Sequence, residues 1–160
     1  MTRSSPALLL VVALAACTAS APPTSPPPAA PAGPDALAQV GRWTLDGATD
    51  ARGQRLDAAF PNGRALHGLA FADGRLQVTG GCNAIAGDYH VDAAGRLVVG
   101  VLGSTRRACA DPALMAADTA VADLVSGTAE WRIAESWPEQ LFLDHADGRR
   151  SHWHAVRDSD

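Results

Sequence analysis

Three histidines near the C-terminus have the residue type and spacing for metal chemistry. His152 and His154 alternate along Ser151-His152-Trp153-His154-Ala155-Val156 and so share one face of an extended strand. His145 lies across the hairpin that precedes them, with Asp144 beside it. Three imidazoles are a ligand set that zinc accepts. No carboxylate-bearing metal motif accompanies them, and solvated histidines explain the pattern as well, so no metal site is expected. Asp144, Asp147 and Gly148 lack the ligand spacing of a calcium loop. Ser104 and Ser126 have no base within an obvious motif, and the chain contains no nucleophile elbow, phosphate loop or HExxH. No catalytic residue and no cofactor is expected, and the chain reads as a non-enzyme.

The cysteines carry more information. Cys17 closes Leu14-Ala15-Ala16-Cys17 directly after the apolar run Ala7–Leu14, with Arg3 ahead of it. This is the form of a bacterial lipobox: a branched aliphatic residue, two small residues, and the cysteine that receives lipid. The apolar run is too short to span a bilayer core of about 30 Å. Residues 1–16 are therefore expected to be a lipoprotein signal peptide and Cys17 the lipidated mature N-terminus. An ordinary secretory signal is the alternative. Each buried CH₂ contributes about 0.8 kcal/mol, so several acyl chains hold firmly where one does not. Thr18 rather than Asp follows the cysteine, which points to an outer membrane, facing the periplasm, in a two-membrane host.

With Cys17 used by lipid, Cys82 and Cys109 remain, and in an oxidising compartment they form a natural pair. Free buried thiols are the other reading. A bridge would contribute about 3.5 kcal/mol on the chain-entropy account. It would also gather Asn83, Thr105 and Arg106. That trio is a candidate partner or ligand patch, with Arg106 able to hold a carboxylate or phosphate bidentately. The competing reading, which the residue types favour, is that Asn83 and Thr105 satisfy loop backbone and Arg106 covers one end of the fold.

Composition limits the remaining possibilities. Residues 17–36 contain seven prolines among Ala, Ser and Thr, a composition that cannot pack a core and extends as polyproline II. At about 3.1 Å per residue this tether would hold the domain as far as roughly 60 Å from the lipid. Residues 40–157 then form one domain of ordinary size. Removing the signal leaves 12 Arg, no Lys and 17 acidic residues, a net charge of −5. Without a basic block, nucleic-acid binding has no electrostatic support. A monomer is expected, attached to the membrane through Cys17 and facing an envelope protein as its possible partner.

The elements that would position these residues are mostly short strands. Arg42–Leu45, Leu66–Phe71, Arg75–Thr79, Asp88–Val91, Arg96–Val99, Glu130–Ile133, Gln140–Leu143 and Ser151–Val156 are separated by turn-forming residues. One segment has helical spacing. Asp111 suits an N-cap, Pro112 the first turn, and Gly127 the stop. Leu114, Met115, Val121, Leu124 and Val125 form its expected apolar stripe. The pattern predicts an α+β domain: an antiparallel half-barrel, or curled sheet, with one packed helix.

Gly80-Gly81-Cys82-Asn83, Gly87 with Tyr89, Ser104-Thr105-Arg106 with Cys109, and Pro112 with Leu114 and Met115 resemble the META domain of the HslJ-like bacterial lipoproteins. Trp43, Leu45 and Phe71 resemble its first strands. The resemblance covers about residues 40–157 and implies a conical β half-barrel with one helix. It implies no enzyme activity, and roles in envelope stress and secretion. The fold is similar to that of pilotins, lipoproteins that bind secretin subunits. Two positions depart from the family pattern: Arg107 stands where an apolar residue is usual, and Asp118 where a helix Glu is common. The expected function is a partner-binding or stress-resistance lipoprotein; a carrier of a small apolar ligand or lipid is the alternative.

Mass spectrometry of the mature N-terminus is expected to show acylated Cys17, and Cys17→Ser should release the protein from membranes. An unmodified cysteine or a different cleavage site refutes the assignment.

Overall fold

A strand with one buried face needs an apolar residue at every second position, and the chain supplies this repeatedly. The computed structural model describes Gly33 and residues 35–157. The expected signal peptide, Cys17, the tether up to residue 32 and its Pro34 lie outside the described residues. Nine strands form one antiparallel sheet: β1 (Arg42–Thr49), β2 (Gly68–Ala72), β3 (Arg75–Thr79), β4 (Ile85–Val91), β5 (Leu97–Val99), β6 (Gly103–Ser104), β7 (Gly127–Ala134), β8 (Gln140–His145) and β9 (Arg150–Val156). The order is β3-β2-β1-β9-β8-β7-β5-β4-β6. β3 also pairs with β4, Leu76 opposite Gly87 and Val78 opposite Ile85. The expected curled sheet is therefore completed into a closed barrel, with β6 appended to β4. Closure leaves few unpaired strand edges.

Antiparallel alternation sorts the connections to two ends. One end holds the turns after β2, β4 and β7, together with the entry into β1 and the exit from β9. The other holds the β1–β2, β3–β4 and β8–β9 connections and the long β6–β7 connection containing α2 (Pro112–Val125). The expected helix has the expected ends. Asp111 accepts a hydrogen bond from Ala113 N at 2.9 Å, Pro112 occupies the first turn, and Ser126 is the C-cap before Gly127 at φ +90°. Arg149 donates to the carbonyls of Asp123 and Ser126, which covers the last turn of the helix. α2 packs against two short 3-10 turns, Asp57–Ala59 and Pro61–Gly63.

The stripe of α2 differs from the expectation. Ala117, Asp118, Val121, Leu124 and Val125 are buried, whereas Met115 is exposed and Leu114 only partly covered. Burial on α2 begins at Ala117, so the apolar residues of its first turn add little to the core. The folded part also begins earlier than expected. A short helix, α1 (Asp35–Val40), stands where the tether was expected to finish, and its Leu37 is fully buried. Trp43 Nε1 donates to Leu37 O at 3.4 Å. α1 thus plugs the entry end while α2 covers the other. β1, β4, β7 and β8 each run longer than their predicted segments, because ladder partners on neighbouring strands extend them.

Large side chains fill the barrel. Trp43, Trp153, Phe71, Leu45, Leu69 and Leu141 are at most 2 % exposed. Phe71 meets Tyr89 edge to face, centroids 5.0 Å apart. An eight-stranded ring is about wide enough for its own side chains and little more.

Leu37→Ala is expected to lower stability by about 2–5 kcal/mol in urea unfolding, since it empties a buried site. A change below about 0.5 kcal/mol would place α1 outside the cooperative unit.

Candidate functional site

α2 presents one carboxylate to the barrel interior. Asp118 is 3 % exposed and surrounded by donors. Its Oδ1 lies 2.9 Å from His67 Nε2 and accepts from Cys82 N at 3.2 Å. Its Oδ2 accepts from Asn83 N at 2.8 Å and Asn83 Nδ2 at 3.0 Å. Burial would raise this carboxyl, but the bonds from His67 and Asn83 outweigh it and hold the group below the usual carboxylate range. The Gly-Gly-Cys-Asn sequence follows from this geometry. Gly80 has φ +82°, and a Cβ there would meet Leu66 O at 1.8 Å. A Cβ on Gly81 would lie 1.8 Å from Asp118 Oδ1. The departure at Asp118 is thus at the centre of the arrangement: the shorter side chain reaches the loop N–H groups with the helix seated against glycine.

The expected disulfide is present, Cys82–Cys109, with Cα atoms 6.2 Å apart. It does gather Asn83 and Thr105. Asn83 Oδ1 accepts from Thr105 Oγ1 at 3.2 Å and Arg107 N at 2.8 Å, and Thr105 Oγ1 accepts from Ala84 N at 3.0 Å. The polar atoms of both side chains are engaged within the loop, as the structural reading anticipated. Arg106 is exposed, and its guanidinium has no partner among the described residues. Arg107, the other departure, is also exposed, so no packing depends on it.

The three histidines do not converge. His145 belongs to the inward-facing set of β8 with Leu141 and Leu143 and is 7 % exposed. Burial lowers its pKa, and Arg149 lowers it further. His152 and His154 lie on the outer face of β9, opposite the buried Ser151, Trp153 and Ala155. His154 Nδ1 pairs with Asp46 Oδ1 at 2.7 Å.

His152 belongs to a different arrangement, which sequence reading missed. Across the outer wall, Arg132 of β7 is opposite Phe142 of β8, Phe142 opposite His152 of β9, and His152 opposite Gly47 of β1. The four form one rung. The Arg132 guanidinium carbon lies 3.6 Å from the Phe142 ring centre, close enough for the planar group to lie flat on the ring. The His152 ring stacks on Phe142, centroids 6.0 Å apart at 23°. Gly47 makes the room: a Cβ there would sit 2.1 Å from His152 Cε1. A register shift in β1 between Leu45 and Gly47 puts Gly47 on the outer face together with Asp46, which stands beside the row.

This rung floors a groove of about 750 Å³. Its other charged groups have partners: Arg150 pairs with Asp144 at 3.3 Å, Arg55 with Asp57 at 2.8 Å, and the Asp46 carboxylate lies 2.7 Å from His154 Nδ1. Arg132 has no carboxylate partner among the described residues. Stacking leaves its in-plane N–H donors free, and aromatic edges carry positive charge. The rung therefore presents an electropositive edge suited to an anionic group. One signal was visible beforehand: Leu141-Phe142-Leu143 breaks strand alternation by placing an aromatic at an outward position.

The META domain model matches residues 35–157. The chain belongs to the META domain family. HslJ-like is a fitting family label, and META is not a known enzyme family. The META chain is similar to a protein from Burkholderia xenovorans solved by NMR, at a TM-score of 0.62 and 22 % identity, covering 87 % of this chain and 99 % of that one. A second protein solved by NMR matches at a TM-score of 0.53 and 20 % identity, covering 78 % and 95 %. At these identities the likeness shows the fold alone. No curated protein matches the chain.

Asp118→Ala is expected to cost about 3–5 kcal/mol, because it strips a buried network of its acceptor. A carboxyl with a lowered folded pKa contributes stability above its unfolded value near 4 and loses it as pH falls through the folded value. Wild type should therefore lose stability below about pH 4 more steeply than the variant. Parallel pH curves would refute the role of Asp118.

Proposed function

We propose that this META-domain protein is a lipid-anchored, non-catalytic component of the bacterial envelope that holds an anionic group of another envelope component in its outer-wall groove. A role in envelope stress resistance would follow from that binding. The lipobox motif supports the anchor. The observation that carries the binding site is Arg132, a guanidinium stacked on Phe142 with no counter-ion among the described residues. A fixed, unspent guanidinium beside an aromatic matches a carboxylate or phosphate better than it serves the barrel's own stability. The carrier alternative meets a lumen filled by Trp43, Trp153, Phe71 and the surrounding leucines, so an apolar ligand would have to displace core side chains.

Crosslinking in the native envelope with Cys17 intact tests this. Arg132→Ala should weaken partner capture about tenfold, or about 1.4 kcal/mol, while thermal stability changes by less than about 0.5 kcal/mol. Arg106→Ala is the comparison, since its guanidinium belongs to the disulfide loop. Loss of capture in Arg106→Ala with Arg132→Ala unaffected would move the site to that loop.

A further inference from the structure

The four tryptophans divide into three that are built into the fold and one that is not. Trp43 Nε1 donates to Leu37 O, Trp131 Nε1 to Gly95 O at 2.9 Å, and Trp153 Nε1 to Ser151 Oγ at 2.9 Å. Trp137 is 84 % exposed, and its N–H has no partner among the described residues. It stands at the tip of the β7–β8 turn. That turn is braced: Ser136 N donates to Ala134 O at 2.9 Å, Ser136 Oγ to Pro138 O at 2.7 Å, and Ala155 N to Glu139 O at 2.8 Å. The Arg157 guanidinium carbon lies 5.8 Å from the indole centre. A held turn thus projects a large amphipathic ring into solvent with its polar atom unspent. An indole in that state suits a boundary with one apolar side and one wet side, and the headgroup level of a bilayer is such a boundary.

The position of Trp137 indicates the occupant. Strand alternation puts the β7–β8 turn at the end of the barrel where the chain enters through α1 and β1. The 18 positions from Cys17 to Asp35 lead to that same end. Even at the full extension of a proline-rich chain, a connection of this length keeps the domain within about 60 Å of its anchor, so it meets the surface without having to diffuse to it. A contact too weak to recruit a free protein then suffices to orient a tethered one.

We infer that the entry end of the barrel rests on the lipid surface, with Trp137 seated among the headgroups. This rests on the lipid-anchor reading of Cys17. It also sets the direction of the groove: the barrel wall carrying Arg132 would face sideways along the membrane.

The test uses full-length mature protein reconstituted into phosphatidylcholine vesicles, with and without brominated acyl chains. Brominated lipid should quench part of the tryptophan emission, and Trp137→Phe should abolish that part while the melting temperature stays unchanged. Protein that floats with vesicles but shows no quenching, or equal quenching in Trp137→Phe, overturns the inference and leaves the anchor standing. Wild type that fails to float overturns the anchor and the inference with it. Cys17→Ser is expected to show neither flotation nor quenching; quenching that persists in it at equal protein and lipid would mean that tethering is not what makes the contact, which overturns the argument.

Discussion

A carboxylate buried to 3 % exposure loses several kcal/mol of hydration unless donors replace the water, and Asp118 lies in this position. Four donors from two separate segments surround it, counting His67, the Cys82 and Asn83 backbones and the Asn83 amide. None of these donors is on α2. The helix is consequently fixed in depth and rotation against the β3–β4 loop and the segment before β2. The disulfide holds the same loop to the strand of chain leading into α2. Glycine at 81 follows from the contact, since any side chain there would occupy the space of the Asp118 carboxylate.

The two ends of the barrel are closed by different physics. At the α2 end, polar groups are satisfied within a dense network, and the conspicuous residues Asn83 and Thr105 are consumed by it. At the entry end the closure is apolar, through Leu37 under Trp43, and the exposed indole of Trp137 is carried at the same end. The wall between the ends carries Arg132, a cation stacked on Phe142 without a carboxylate partner among the described residues. Chemistry available to a partner is therefore found where the fold has no internal use for it: on the wall, at the entry end, and at the exposed Arg106 of the disulfide loop. Motif residues that attract attention in the sequence are largely the ones the fold spends on itself.

Several features were legible from local pattern. Asp111, Pro112 and Gly127 mark α2 because capping and backbone constraints act within a few residues. Strand β3 was read to the residue, since Leu76 and Val78 alternate with polar neighbours. α1 was missed because its six residues follow a proline-rich run, and only burial of Leu37 stabilises so short a helix. The stripe on α2 was drawn through Met115 and not through Asp118, because an acidic residue on the covered face makes sense only when its donors are known.

By itself the sequence determined the α+β class, the family and the limits of α2, favoured the pairing of Cys82 with Cys109 over free thiols, and raised the expectation of an export signal over residues 1–16 ahead of Cys17. All of these depend on residue type at short range or on counting. Tertiary structure alone decided that the sheet closes through β3 and β4, that Asp118 is the hub, and that His145 parts company with His152 and His154. It alone aligned Arg132, Phe142, His152 and Gly47, which come from four strands spread over more than a hundred positions. Register between distant strands is set by the packing of the whole barrel, and no local pattern of residues encodes it.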